Sequence, residues 1–191
     1  MTAQTGIGRY DGSDHHRHMI STIRSGGQSG VDRGALDAAR AVGVPVTGWC
    51  PAGGWAEDQS EPPGLLADYP ELTETPSPET EQRTEWNVRD SDATLILTAN
   101  DGPSPGTDLT VGFACQWQRP HLVLDASAWG DHNVLAAVAH DVSEWLRLQG
   151  SGLEVNIAGP RASEWAGAYG ISYALVHALV DAGARPRPAP R

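Results

Sequence analysis

Short apolar runs alternate with helical patterns along the whole chain. Five runs rich in β-branched and aliphatic residues are typical of buried strands, at 20–23, 44–47, 93–97, 121–125 and 153–158. Helical patterns follow them, at 31–42, 78–90, from 108 onward, at 131–148 and after 161 to about 180. Strand and helix therefore alternate five times, which predicts a doubly wound α/β sandwich of three layers with a mostly parallel sheet of about five or more strands.

The pattern predicts a single folded domain at 20–183. Residues 1–19 are polar and contain three histidines, which predicts a flexible leader, and the proline-rich residues 184–191 predict a frayed tail. The segment 48–75 is long, rich in proline and acidic residues, and without periodicity. Loops of this length inside a domain are usually functional or mobile. Residues 53–58 are a candidate lid, and a solvated acidic loop is the alternative.

The first strand run breaks into a glycine loop that directly precedes a helix. The loop consists of Gly26, Gly27, Gln28, Ser29 and Gly30. Glycine permits close approach of a ligand, and first-turn N–H groups bind anions, so we predict a phosphate cradle with Arg33 one turn further on. The loop matches neither of the two common nucleotide-binding glycine patterns. A tight turn that binds nothing is the alternative.

Two further strand ends carry similar chemistry. Gly106 and Thr107 precede a predicted helix, and they suit a second anion or a hydroxyl group, although a plain turn explains them equally well. The last strand ends in a group that places an arginine beside a predicted helix start, where the helix dipole disfavours a cation. We expect this arginine either to hold an anion or to pair with Glu164; the group consists of Asn156, Gly159, Pro160, Arg161 and Ser163.

The helix at 78–90 is unusually polar for one that leads into a buried strand. Glu85, Asn87 and Arg89 are candidates to reach the ligand. Glu85 and Arg89 are also four residues apart, so a stabilising surface pair on the helix is an equally good interpretation.

Composition narrows the possible functions. The net charge of −11 argues against nucleic acids and anionic membranes as partners. All 13 cationic residues are arginine, which excludes lysine nucleophiles and favours binding of phosphate or carboxylate groups. Two cysteines and the lack of a long apolar segment predict a cytoplasmic protein. We find no nucleophile elbow, carboxylate pair or metal-ligand spacing, so no catalytic or metal-binding residue is assigned and binding is favoured over turnover.

Seven motifs in this order resemble the molybdenum cofactor carrier protein family over about residues 20–180. They are Ser25-Gly-Gly-Gln-Ser-Gly-Val-Asp-Arg33, Gly48-Trp-Cys-Pro51, Ala56-Glu-Asp58, Leu72-Thr-Glu-Thr-Pro76, Arg83-Thr-Glu-Trp-Asn-Val-Arg-Asp-Ser-Asp92, Gly106-Thr107 and Asn156-Ile-Ala-Gly-Pro-Arg-Ala-Ser163.

The resemblance implies a Rossmann-like fold, related to the Lonely Guy phosphoribohydrolases, and a homo-oligomer. It implies that the small-molecule anionic ligand is molybdopterin in the molybdenum cofactor, or molybdate, held near Gly26–Gly30, Gly106-Thr107, Arg33 and Arg161. The phosphoribohydrolases carry Pro-Gly-Gly-x-Gly-Thr followed by a glutamate, whereas Pro105–Asp108 is shorter here, which weighs against glycosidic-bond hydrolysis. The alternatives are a nucleotide or nucleoside-phosphate hydrolase and a nucleotide-binding module of that superfamily.

Overall fold

A computed structural model describes residues 19–99, 105–130 and 132–183. The predicted leader up to residue 18, the predicted tail from residue 184 and residues 100–104 of the second glycine loop lie outside these ranges. The strands are β1 (Ile20–Arg24), β2 (Val46–Cys50), β3 (Leu72–Glu74), β4 (Ala93–Thr98), β5 (His121–Asp125) and β6 (Leu153–Ala158). The helices are α1 (Val31–Ala41), α2 (Thr80–Arg89), α3 (Pro105–Gln116), α4 (His132–Gln149) and α5 (Ala168–Gly183).

The six strands form one sheet in the order β3-β2-β1-β6-β4-β5, and every pair is parallel. The chain proceeds outward from β1 to β3, crosses to β4 and β5, and returns with β6 between β1 and β4. The direction of winding therefore reverses beside β1 and β6. This arrangement confirms the predicted Rossmann-like, doubly wound α/β class.

Helices cover the two faces of the sheet unequally. On one face α1, α4 and α5 pack against one another, and on the other α2 packs against α3. The larger apolar cluster lies on the first face and contains Ile23, Leu95, Val155 and Leu175. The face under α2 is more polar, since the Asn156 amide donates there to the Thr94 hydroxyl over 3.4 Å. The polar cavity described below opens from this second face.

The sequence prediction is wrong at several element boundaries. β2 begins at Val46 rather than at residue 44, and β3 lies inside the stretch expected to be irregular. Helix α2 begins at Thr80, after Glu79 in an extended conformation, rather than at residue 78. Helix α3 begins at Pro105, so Gly106 and Thr107 belong to its first turn instead of preceding it.

The last helix also begins later than predicted. Turns occupy 162–164 and 166–167, and α5 begins at Ala168. The turn after β6 closes because the N–H groups of Glu164 and Trp165 donate to the carbonyl of Arg161, at 3.1 and 2.9 Å. Arg161 is therefore separated from the start of α5 and is not opposed by its dipole.

None of the described helices is long and apolar enough to cross a membrane.

Candidate functional site

A polar cavity of about 180 Å³ opens at the carboxyl ends of β1 and β6. This is the point where winding reverses, and ligands of doubly wound proteins bind there. The walls come from the loop after β1, the first turn of α1, one face of α2, the N-terminal half of α3, and the end of β6 with its following turn. The lining residues are Gly26, Gln28, Asp32, Thr80, Arg83, Thr84, Asn87, Gly106, Leu109, Thr110, Asn156, Ile157, Ala158, Gly159, Arg161 and Glu164.

The structure brings together part of the predicted site. Seven predicted residues line the cavity: Gly26, Gln28, Asn87, Gly106, Asn156, Gly159 and Arg161. Nine others do not line it: Gly27, Ser29, Gly30, Arg33, Glu85, Arg89, Thr107, Pro160 and Ser163. All three predicted strand ends contribute at least one wall residue.

Sequence reasoning missed a buried ion pair in the cavity wall. The Arg83 guanidinium donates to the Asp32 carboxylate over 3.0 Å, and the side chains are 14% and 4% exposed. Burial raises the pKa of Asp32, although Arg83 and a hydrogen bond from the Gln28 N–H, at 3.3 Å, oppose that rise. The pair therefore places a fixed positive and a fixed negative group side by side in the wall.

A signal for this pair was present in the sequence. Asp32 lies four and seven residues before Leu36 and Ala39, which are fully buried, so it shares the inner face of α1. A carboxylate on a buried face requires a partner, and an arginine supplies the best one. The helical pattern at 78–90 contains two arginines, and Arg83 is the one that reaches Asp32.

The glycine loop does not present its amides to the cavity in the predicted way. The N–H of Gln28 donates to Asp32, that of Ser29 to the Gln28 side chain, and that of Val31 to the carbonyl of Pro160. The N–H of Arg33 donates to the carbonyl of Gln28. The expectation that the first-turn amides point at a ligand is wrong for these groups, because protein acceptors already occupy them.

Two glycines of the loop are required by close approach. A Cβ on Gly26 would lie 2.0 Å from Nη1 of Arg83, so a side chain at residue 26 would displace the buried pair. Gly30 has a φ of +79°, and its Cβ would lie 2.5 Å from the carbonyl oxygen of Pro160. The loop is thus docked tightly against the turn after β6.

Arg33 faces away from the cavity. Its guanidinium donates to the carbonyl of Gly27 at 3.1 and 3.2 Å and to both carboxylate oxygens of Asp58 at 3.2 Å. Arg33 therefore ties the glycine loop to residues 55–58, which we call the strap.

The strap contacts both the glycine loop and the turn after β6, and its role as a lid stays a prediction. The Glu57 carboxylate accepts hydrogen bonds from the Ser29 hydroxyl and from the N–H and hydroxyl of Ser163, the last two at 3.2 and 2.5 Å. Partial burial raises the pKa of Glu57, but these hydrogen bonds and the nearby Arg161 outweigh it and hold the pKa below its ordinary value. Ser29 and Ser163 are therefore joined through Glu57 rather than through the cavity.

Arg161 is the arginine of the cavity wall that forms no salt bridge within the described residues, although the Glu57 carboxylate lies near enough to feel its charge. It forms no ion pair with any residue in the described ranges, and its guanidinium lies 5.8 Å from the ring centroid of Trp55 in the strap. The expected pairing of the Arg161 side chain with Glu164 does not form. The backbone N–H of Arg161 donates to the Glu164 carboxylate instead, over 3.0 Å.

The predicted ligand residues of α2 form hydrogen bonds with other protein groups. The Asn87 amide exchanges two hydrogen bonds with the backbone of Trp49, at 2.8 and 2.9 Å. Glu85 accepts from the indole of Trp117, and Arg89 donates to Asp90 at 2.6 and 2.8 Å. The surface pair expected between Glu85 and Arg89 is therefore replaced by the pair of Arg89 with its neighbour in sequence.

A second, shallower recess adjoins the cavity. It has a volume of about 430 Å³, and Thr80 lines both spaces. Its walls include Trp55 of the strap, Pro62 and Glu79. The two spaces therefore meet at Thr80, and Trp55 is the aromatic residue that lines the second one.

The fold and cavity define a Rossmann-like α/β protein with a polar cavity where the winding reverses. A family model described as the circularly permutated YpsA SLOG family matches residues 23–180. This chain belongs to that family. A solved structure titled "Putative molybdenum carrier protein" from Syntrophus aciditrophicus SB is 35% identical, with a TM-score of 0.73, and the match covers 84% of this chain and 95% of that one. No curated protein matches. These findings confirm the resemblance drawn from the motifs.

Proposed function

We propose that the cavity binds a small anionic ligand, and that the protein carries this ligand without converting it. The observation that carries the proposal is Arg161, a guanidinium in the cavity wall without an ion-pair partner among the described residues. A guanidinium that forms no salt bridge within the described residues, in a chain with a net charge of −11, is suited to bind phosphate or an oxyanion. Arg83 is less available, because Asp32 neutralises it.

We further propose that the ligand is the molybdenum cofactor, a pterin with a phosphate and a dithiolene-held metal. Arg161 would hold an anionic part of it, and the amides of Gln28 and Asn156 offer donors and acceptors for ring nitrogens and oxygens. The recess beyond Thr80 offers Trp55 as a surface on which a flat ring can stack. The printed name of the 35% identical relative supports this ligand. The predicted oligomer and cytoplasmic location stay predictions.

A hydrolase acting on a nucleoside phosphate is the second candidate. The observation that favours it is Asp32, a carboxyl group in the cavity wall. Burial raises the pKa of this group. A general acid or base needs a pKa moved toward neutrality in this way. Against this role, Oδ2 of Asp32 already accepts hydrogen bonds from Arg83 and from the Gln28 N–H.

Arg161→Gln tests the proposed anchor. Because a hydrogen bond to a charged group contributes about 2 kcal/mol, we expect affinity for the isolated cofactor, or for molybdate alone, to fall roughly 30-fold. The measurement is isothermal titration at fixed ionic strength. Arg147→Gln is the matched control, since it removes the same charge from the last turn of α4, which lines neither space, and should bind like the wild type. If Arg161→Gln and Arg147→Gln bind the ligand with equal affinity, Arg161 does not contact the ligand.

A further inference from the structure

The donors around Glu57 are of the kind that form an anion site, and the Glu57 carboxylate occupies the position of the anion. Its carboxylate receives the Ser29 hydroxyl, the Ser163 hydroxyl and the Ser163 N–H, and Arg161 adds a favourable charge. We call the group formed by Ser29, Arg161 and Ser163 the seat. Hydroxyl donors, a backbone N–H and a guanidinium are the groups that proteins use to hold phosphate and related oxyanions.

The seat adjoins the polar cavity rather than lying apart from it. Arg161 belongs to both, and Gln28, which lines the cavity, accepts the Glu57 N–H over 2.8 Å. A ligand with more than one anionic group can therefore span from the cavity into the seat.

The strap is arranged so that the Glu57 side chain can leave while the backbone stays. Ala56 is fully buried in the smaller apolar cluster and pairs with Gln59, and Asp58 is tied to Arg33. The carboxylate, by contrast, is held only by polar contacts near solvent. Rotation of this one side chain requires no movement of the loop backbone, which is a slower, collective motion.

We propose that the seat is an oxyanion subsite, which the Glu57 carboxylate fills in the ligand-free protein and which a phosphate or oxometalate group takes when that side chain rotates away. A tethered carboxylate competes as an internal ligand at high effective concentration, so it lowers the apparent affinity for every anion that needs the seat. An anion must therefore displace the Glu57 carboxylate to bind in the seat. Ligands that have a second group bound in the cavity can do so at lower concentration.

This inference extends the proposed function, because it gives a role to Ser29 and Ser163, which the sequence predicted as ligand residues and which do not line the cavity. It does not depend on the cofactor being the ligand. Inorganic phosphate and molybdate therefore test it separately, and the test can succeed even if no pterin binds.

Glu57→Gln tests the subsite. The variant keeps the shape of the side chain but removes the competing charge, so we expect inorganic phosphate to bind at least tenfold more tightly than it binds to the wild type. Glu61→Gln is the matched control, since it removes the same charge from an exposed position of the same loop. Adding Ser163→Ala to Glu57→Gln should abolish most of the gain, because it deletes a donor of the seat.

Equal phosphate affinity of Glu57→Gln and Glu61→Gln would overturn the proposal, as would a gain that survives Ser163→Ala. Thermal unfolding of each variant checks that the chain is folded. Should Glu57→Gln not fold, Glu57→Ala replaces it, and crystals soaked in molybdate give an independent result. We expect an anomalous peak at hydrogen-bond distance from the Ser29 hydroxyl and the Ser163 N–H in the variant; a peak elsewhere only would contradict the subsite.

Discussion

Gly30→Ala is expected to lower the free energy of unfolding by about 3 to 4 kcal/mol, which combines the strain of a positive-φ conformation that side chains rarely adopt with overpacking. Gly30 has a φ of +79°, and an added Cβ would lie 2.5 Å from the Pro160 oxygen and 2.7 Å from the Ala162 nitrogen. These are backbone atoms, so they cannot move aside as the end of a flexible side chain can. Urea unfolding monitored by circular dichroism measures the loss.

Gly43→Ala tests a positive-φ glycine without close contacts. Gly43 has a φ of +76°, and its Cβ would meet no atom within 4 Å. It should therefore show a conformational penalty without overpacking, about 1 kcal/mol. A loss for Gly30→Ala within the error of that for Gly43→Ala would contradict the close docking of the glycine loop on the turn after β6.

Arg83→Met is expected to lower the free energy of unfolding by about 3 kcal/mol at pH 7, because it leaves the buried Asp32 carboxylate without its counter-charge. Asp32→Asn added to Arg83→Met should recover part of the loss, since no charge then stays buried. Arg147→Met is the control: the pair of Arg147 with Glu144 is 38% and 53% exposed. Its loss should be under about 1 kcal/mol.

The loss for Arg83→Met should depend on pH. Burial raises the pKa of Asp32 above its ordinary value of 3.8, so the folded state holds the proton more tightly than the unfolded state. The contribution of this carboxyl to stability therefore falls as the pH rises from 3.8 through the folded-state pKa. Without Arg83 that pKa rises further, so we expect a smaller loss at acidic pH than at alkaline pH. A loss that is independent of pH would contradict this account of the pair.

The sequence predicts the fold class well because five of the strands contain short apolar runs that alternate with helical patterns. β4, for example, is buried at every position from Ala93 to Thr98, which makes its sequence unmistakably that of a central strand. β3 is different: it has three residues, of which only Leu72 is buried. Its pairing with β2 along the sheet edge is a tertiary contact that no local pattern indicates.

The candidate site was predictable in location but less so in detail. Glycines at strand ends indicate the correct edge of the sheet, because carboxyl ends of parallel strands meet there. Which arginine faces the cavity depends on contacts between distant segments. Arg33 is adjacent to the glycine loop but binds Asp58. Arg83 lies far along the sequence, in α2, and binds Asp32.

The role of Glu57 illustrates the same limit. The acidic loop at 53–58 predicts a lid on composition alone, but the donors that Glu57 meets come from the loop after β1 and the turn after β6. Their convergence follows from the placement of β6 beside β1, which the sequence does not reveal.

The proposed role as a carrier of an anionic cofactor is tested most directly by identifying what the protein holds when it is purified from its native cells. The protein is denatured, and the released material is analysed for molybdenum by mass spectrometry and for oxidised pterin by fluorescence. We expect both, in equal amounts and at no more than one per chain. A nucleotide spectrum without molybdenum would contradict the claim and favour the nucleoside-phosphate hydrolase.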